Sequence, residues 1–390
     1  MQIRWFEGLT GLEQLRDDWV GLHDGADLYA RFEWNQAVAK HLIPATSQLL
    51  YCRIGRPDGR VAAIVPAIVA RVDTPPFGKR LVLTMGQHPH LSLRDFPLAR
   101  DADPSAVGAA LMAACGELPQ RWVAVWWPRI LAASNAARVA CALAGPAAQL
   151  RAGSPCNTID TSQPRKPRSN LRRPQKRLAE IGPTAVRLAR ESGKVEAFFG
   201  EFLRIEASGW KGATGTQTAI AHLPEARAFY AELLAQHGPG FEADIALLYC
   251  GDRAIAGEFL LTASRWQHVY KIGYDEAYRE YSPGQLLLED VLHRACARGS
   301  TDRVSLVSSQ RWHENWKPLS EQTMEVLAFR EPWRDTVSSV YSSVRRKAKH
   351  VRAMWSRPRA DAMSNDADGS LRPAAAEGSE SAAEPELPKR

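Results

Sequence analysis

The chain has 390 residues, 45% of them apolar, and 50 Lys and Arg against 43 Asp and Glu give it a net charge of +7. That apolar share supports a sizeable core over two or three domains, and the mild positive excess favours anionic partners without specifying a fold. Six cysteines stand apart with no Cys-x-x-Cys pair, which argues against a disulfide framework or zinc site and fits a reducing cytoplasm.

The N-terminal MQIRWFEGLTGLEQLRDDW carries acids and no apolar segment of the signal-peptide kind. No apolar run reaches the roughly 18–20 residues of a membrane span. Residues 11–42 read as two helices, with Leu12, Leu15, Trp19 and Leu22 at helical spacing and Phe32, Trp34 and Val38 after a loop. LLYCRIG and VAAIVPAIVA, joined by RPDGR, predict a hairpin, and LVLTMG a further strand. Ala-rich helices are expected over 104–117 and 132–144, with WVAVWWP as a strand between them. The first half, 1–160, is therefore a mixed α/β unit.

Composition breaks at PRKPRSNLRRPQKR, where seven of fourteen residues are basic and none is acidic. Three prolines argue against one continuous helix, so 161–180 reads as a basic connector. Beyond it TAVRLAR is a strand, VEAFFGEFLRIEASGW and EARAFYAELLAQHG are helices, and DIALLYCG, IAGEFLLTAS and HVYKIGYD are strands. The helix GQLLLEDVLHRACARG and the strand DRVSLVSS complete a second half over 181–331. Residues 332–355 are a basic amphipathic helix, and 356–390, poor in large apolar side chains, are expected to be a disordered tail. The fold class is thus α/β in the α+β sense, with two mixed-sheet halves on a shared helix–helix–strands plan.

The junction after HVYKIGYD carries two readings. Ser282, Pro283 and Gln285 fit a capping box ahead of an amphipathic helix. Alternatively, Gly284 leaves room for a ligand, and the first-turn N–H groups and helix dipole suit a pyrophosphate. GWKGATGT is a surface loop or part of a pocket, and it lacks the order of a phosphate-binding P-loop. Among side chains with proton chemistry, Glu206 is a helix-face acid or a base, and Glu258 a paired core acid or a base. Tyr270, Lys271, Tyr274 and Asp275 lie on or after one strand, where tyrosine can serve as an acid or only pack. His313 is expected at the surface. No histidine spacing suits a metal, and neither a Gly-x-Ser-x-Gly elbow nor a dinucleotide fingerprint is present. The two basic runs lack interleaved aromatics, so specific nucleic-acid binding is not expected; a basic amphipathic helix over 332–355 suits an anionic membrane surface.

The second half resembles the GNAT-like acetyltransferase domain of cellulose-biosynthesis (CelD-type) proteins, distantly related to the Fem peptidyltransferases. The resemblance rests on EASGWKGATGTQTAI, FYAELLAQHG, LLYCGDRAIAGEFLL, YKIGYDEAYREYSPGQLLLEDVLHRA and ENWKPLS. In the first half and connector it rests on LRDDWVGLHDGADLYARFEWNQAV, DGRVAAIVPAIV and LRRPQKRLAEIG. Together these span about residues 5–330. Two stretches depart from the pattern: 281–286 holds one glycine of the usual loop, and VSLVSSQRWHENWKP stands in place of an Asp-Phe-Leu-x-Gly-like stretch.

The resemblance implies a CoA-dependent N- or O-acyltransferase with acetyl-CoA as co-substrate and no metal. Direct attack of an amine or hydroxyl on the thioester would need no covalent enzyme intermediate. Ile272, Gly273, Tyr281, Ser282, Pro283, Gly284, Gln285 and Leu286 would hold the cofactor. Trp210, Lys211, Tyr270 and Lys271 would contact the acceptor, and Tyr274, Glu258 and Glu206 are the candidates for proton transfer. The acceptor would be a small molecule or glycan of polysaccharide or cell-envelope metabolism, met in the cytoplasm or at the inner face of the membrane. Two alternatives stand beside this: a non-catalytic scaffold for a polyanion or membrane surface, and Fem-like aminoacyl transfer.

Overall fold

The computed structural model describes the chain except residues 23–26, 144–147, 210–211, 213–215, 239, 332, 335 and 339–390. Most of the expected basic helix and all of the expected tail therefore lie outside the described residues.

The first half opens with strand β1 (Gln2–Glu7), helices α1 (Gly8–Gln14), α2 (Arg16–Val20) and α3 (Phe32–Ala37), and strands β2 (Gln48–Gly55), β3 (Val61–Asp73) and β4 (Lys79–Thr84). Helix α4 (Pro104–Gly116), strand β5 (Ala124–Leu131), helix α5 (Asn135–Leu143) and strands β6 (Ala148–Ala152) and β7 (Cys156–Asp160) follow. The second half runs α6 (Ser169–Ile181), β8 (Thr184–Leu188), α7 (Ala189–Ser192), α8 (Val195–Glu206), α9 (Pro224–Ala235), β9 (His237–Gly238), β10 (Phe241–Cys250), β11 (Arg253–Ala263) and β12 (Trp266–Tyr274). It ends with α10 (Pro283–Arg298), β13 (Arg303–Ser305), β14 (Leu319–Glu321) and β15 (Thr323–Phe329).

Two mixed sheets result, one ordered β1-β2-β3-β4-β5-β15-β6 and the other β14-β7-β13-β12-β11-β10-β8, with β9 beside β10. Each holds one parallel pair inside antiparallel neighbours, β4 with β5 and β12 with β13. The order three strands, helix, parallel strand occurs in both halves. Sheet membership nevertheless departs from a division at residue 160. Strand β7 pairs with β13 and β14, and β15 returns to the first sheet between β5 and β6.

The basic connector is more ordered than its composition suggests. Residues 169–181 form one helix with Pro174 inside it. Leu171 and Leu178, seven residues apart, are buried under the helix against the second sheet, and that anchorage outweighs the hydrogen bond proline removes.

The faces of the second sheet differ. One carries Leu248, Leu260 and Val269 against the apolar stripe of α10, with Leu287, Val291 and Leu292 buried. The other carries Ile245, Phe259 and Tyr270 against Phe202 of α8 and Phe229 of α9, and first-half residues Tyr29, Trp34 and Leu93 join this same core. Trp34 meets Tyr29, Phe229 and Tyr270 edge-on at 5.3–5.4 Å between ring centroids. Along β12 the register slips between Phe259/Lys271 and Leu260/Val269, so Tyr270 is the extra residue of a bulge. Its hydroxyl donates to the His90 carbonyl at 2.6 Å and accepts from the Ser92 N–H at 3.2 Å, joining the halves. Tyr270→Phe is expected to remove both bonds from a buried site and cost about 1–3 kcal/mol, measured as a lowered urea midpoint at unchanged slope.

Among the described residues no helix is long and apolar enough to cross a membrane.

Candidate active site

Strands β12 and β13 pair only where Trp266, Gln267 and His268 face Arg303, Val304 and Ser305. Beyond His268 the two strands part, and β12 runs on through Tyr274 with a strand neighbour on one edge alone, β11. A 3-10 turn over Glu276–Tyr281 then leads to α10. Where the end of β12 faces the start of α10 lies a cleft of about 280 Å3, lined by Gly257, Glu258, Ile272, Gly273, Tyr274, Arg279, Ser282, Pro283, Gly284, Gln285 and Trp312. This cleft brings together eight residues the sequence singled out: Glu258, Ile272, Gly273, Tyr274, Ser282, Pro283, Gly284 and Gln285.

The helix start is built differently from the expected capping box. Ser282 is left-handed, at φ 52° and ψ 47°, and its side chain makes no capping bond. A capping serine is ordinarily extended, which lets its hydroxyl reach the third helical N–H. Here the Ser282 carbonyl instead accepts from the N–H groups of Gln285 (3.0 Å) and Leu286 (3.1 Å). The Gln285 side chain is engaged elsewhere, its Oε1 accepting from Trp316 Nε1 at 2.9 Å. Pro283 has no N–H, so among the described residues the Gly284 N–H is the first-turn donor left for a ligand. A Cβ placed on Gly284 would meet nothing nearer than Tyr274 Cδ1 at 3.8 Å, so packing does not require glycine there. The space beside it is open cleft.

Gly273 has the opposite explanation. A Cβ there would stand 2.9 Å from Glu206 Cα, and one on its cross-strand partner Gly257 would stand 2.9 Å from the Phe202 ring. The glycine pair lets α8 lie directly on the sheet. Gly273 lines the cleft, yet its missing side chain is accounted for by packing.

Glu258 faces Ile272 across the strands and is only 2% exposed, with Oε2 unpartnered among the described residues. Burial, with the charge of Asp290 adding, pushes its carboxyl up to about 8. It is therefore neutral at pH 7 and offers the cleft a hydrogen-bond donor. Tyr274 is half-buried, and desolvation followed by the Glu276 charge raises its phenol.

Other sequence candidates lie elsewhere. Glu206 is buried and accepts the Ile220 N–H at 2.9 Å, a structural tie for the segment after α8. Tyr270 lies on the opposite face of the sheet, in the core shared by the halves, where burial raises its phenol to about 12. Lys271 also lies outside the cleft lining, its Nζ 6.0 Å from the Tyr270 ring centroid. Leu286 is a core residue, and Tyr281 packs at the edge of that core under Arg177, whose guanidinium stands 5.1 Å from its ring centroid. Trp210 and Lys211 lie outside the described residues. His313 is buried rather than superficial; its Nδ1 faces Asn157 Nδ2 at 3.2 Å, and burial lowers it to about 4.

Three cleft residues were missed, Gly257, Arg279 and Trp312, the first a packing glycine. Arg279 lines the cleft as an exposed cation with no ion pair or side-chain hydrogen bond among the described residues. Trp312 supplies an aromatic wall. The signal for Arg279 lay in the sequence, as the one cation between the end of β12 and the helix start. Among the described residues no group of three or more His, Cys, Asp or Glu could hold a metal ion.

The arrangement suits an anionic, elongated ligand: a cation and a free N–H near a helix N-terminus at one end, and a neutral carboxylic acid and open strand edge beside it. Residues 165–317 match the family model described as an acetyltransferase (GNAT) domain. No curated protein matches the chain. Among solved structures, FemX is similar at 13% identity and a TM-score of 0.53, over 87% of this chain and 100% of that one. The C-terminal domain of an Agrobacterium fabrum protein described as a lysylphosphatidylglycerol synthetase is similar at 10% identity and a TM-score of 0.50, over 85% of this chain and 97% of that one. At such identities the likeness is one of fold. The chain is thus two mixed-sheet halves, of which residues 165–317 match a GNAT-type acetyltransferase domain model.

Proposed function

We propose that this chain is a CoA-dependent acyltransferase, with acetyl-CoA as the donor. The observation that carries the reading is the cleft at the β12–α10 junction, where unpaired Arg279 and the open position at Gly284 share one cavity with neutral Glu258. These residues fit a CoA donor: Arg279 and the Gly284 N–H for the pyrophosphate, the unpaired edge of β12 for the amides of its arm. The bound donor supplies an activated thioester carbonyl. The chain's own groups orient it, keep water from the buried face of the sheet and handle the acceptor's proton. Transfer to an amine or hydroxyl in polysaccharide or cell-envelope metabolism is the acceptor class favoured by the sequence resemblance to the CelD-type proteins.

Calorimetric titration with acetyl-CoA is expected to give micromolar binding. Arg279→Gln is expected to weaken it about tenfold, by removing one charge-assisted contact worth roughly 1.5–3 kcal/mol less the partial compensation of solvent exposure. Equal binding by wild type and variant would remove Arg279 from the site.

A second reading is favoured by α6, where Arg172, Arg173 and Lys176 are exposed and have no ion pair among the described residues. These cations, with residues 332–355, suit a polyanion or an anionic membrane surface. Sedimentation with phosphatidylglycerol vesicles, lost on neutralising Arg172, Arg173 and Lys176 together, would support this second reading. It is independent of acetyl-CoA binding.

A further inference from the structure

On the face of the second sheet away from the cleft, buried polar groups gather between the halves, several of their atoms without a hydrogen bond among the described residues. His268, Tyr29, Cys156 and Ser305 are each only 1% exposed. Among the described residues, both ring nitrogens of His268, the Tyr29 hydroxyl and Arg129 Nε make no hydrogen bond. His268 Nε2 stands 3.5 Å from Asp27 Oδ1, and its ring meets Tyr29 edge-on at 5.5 Å. Cys156 Sγ lies 3.5 Å from Ser305 Oγ, and Ser305 is the strand partner of His268. Arg129, left-handed at φ 50°, donates from Nη2 to the Val307 carbonyl at 2.9 Å and so closes the side. Folded proteins satisfy the great majority of buried polar atoms, so several orphans in one place mark a ligand's position better than a packing accident.

The location is specific. His268 and Ser305 are the last paired residues before β12 and β13 part. The cleft with Glu258, Ile272 and Tyr274 lies on the α10 side, whereas His268 and Tyr270 lie on the α8 side. The cluster stands at the point where β12 and β13 part. From Gly273 back to His268 is five residues, roughly 16 Å at about 3.3 Å each, comparable with an extended pantetheine arm.

We infer that this buried polar cluster between the halves marks where the acceptor binds, and that His268, beside Asp27, takes the proton from the acceptor; the inference rests on the acyltransferase reading. As the acceptor's nitrogen or oxygen bonds to the thioester carbonyl carbon, its proton passes to His268. The carbon–sulfur bond breaks, CoA leaves as the thiolate, and the proton returns to it or to water. The cluster's chemistry fits a small polar amine or hydroxyl that can donate to Asp27 or His268 and accept from Tyr29 and Arg129.

The test uses bromoacetyl-CoA, whose electrophilic carbon adjoins the carbonyl. Attack by an imidazole nitrogen forms a carbon–nitrogen bond, expels bromide and releases the ring proton, leaving a stable adduct. In the full chain, peptide mass spectrometry is expected to place the adduct on Cys156 or His268. In Cys156→Ser it should fall on His268, be blocked by excess CoA, and form several-fold more slowly when Asp27→Asn is added. Adducts confined to Tyr274, Lys271 or residues outside the cluster would overturn the inference, as would no adduct in a protein that binds acetyl-CoA by calorimetry. Absence of calorimetric binding would instead overturn the acyltransferase reading, and this inference with it.

Discussion

Gly284→Trp is expected to abolish acetyl-CoA binding while leaving the fold in place. The substitution is made at an α-helical position with no left-handed backbone, and its Cβ would make only an ordinary contact with the Tyr274 ring at 3.8 Å. The remaining indole atoms have one place to go, the cleft of about 280 Å3. They would displace any ligand from the helix start and cover the Gly284 N–H. A loss of at least a hundredfold in affinity, about 2.7 kcal/mol, is expected by calorimetry, with the thermal unfolding midpoint close to that of wild type. Gly284→Ala is the matching control. Its methyl fits the available space, and replacing glycine in a helix contributes up to about 1 kcal/mol. The alanine variant should therefore bind within a few-fold of wild type and melt slightly higher. Wild-type affinity in the tryptophan variant would show that the cleft is not where the donor binds.

Glu258→Gln should change how stability depends on pH, and the sign is set by the raised carboxyl. Its ordinary value of 4.5 in the unfolded chain becomes about 8 in the fold. Below pH 4.5 both states hold the proton and the side chain carries no ionisation penalty. Between pH 4.5 and 8 the unfolded chain loses the proton while the fold keeps it, so stability falls by about 1.4 kcal/mol per pH unit. Across the window the loss is on the order of 5 kcal/mol, and above pH 8 it levels off. Glutamine does not ionise, so the variant should match wild type near pH 4.5 and exceed it increasingly towards pH 8 in urea unfolding. A variant less stable than wild type at pH 7.5 would show that the carboxylate is paired instead. The same shift bears on chemistry: at pH 7 the neutral acid donates a hydrogen bond, and proton abstraction by Glu258 begins only near pH 8.

The elements carrying the site were legible because their patterns are local. The β-branched and aromatic run HVYKIGYD became β12, and the apolar stripe of Leu287, Leu288, Val291 and Leu292 became the buried face of α10. What escaped was set by contacts distant in sequence. The capping box failed because the Glu276–Tyr281 turn delivers Ser282 in a left-handed conformation and Trp316 takes the Gln285 side chain. Tyr270 looked like a strand tyrosine near a thioester, but the bulge turns it into the core between the halves. Strands β14 and β15 were not anticipated, since LSE is short and polar and TMEVLAF finds its partners in the first half. The orphaned cluster at His268 was illegible for the same reason, because its members come from residues 27 to 305.

The strand exchange has a consequence for how the protein is made. Ala124 of β5 is paired with Phe329 of β15, and Cys156 of β7 with Glu321 of β14. On the ribosome the first sheet emerges with the β5 edge bare and cannot close until almost all of the second half has been synthesised. Until then an apolar strand edge is open to other chains, the situation in which slow, non-local pairing invites aggregation. Production of either half alone should therefore yield insoluble material, and co-expression of fragments split at residue 160 should succeed only when the second fragment can supply β15 to the first.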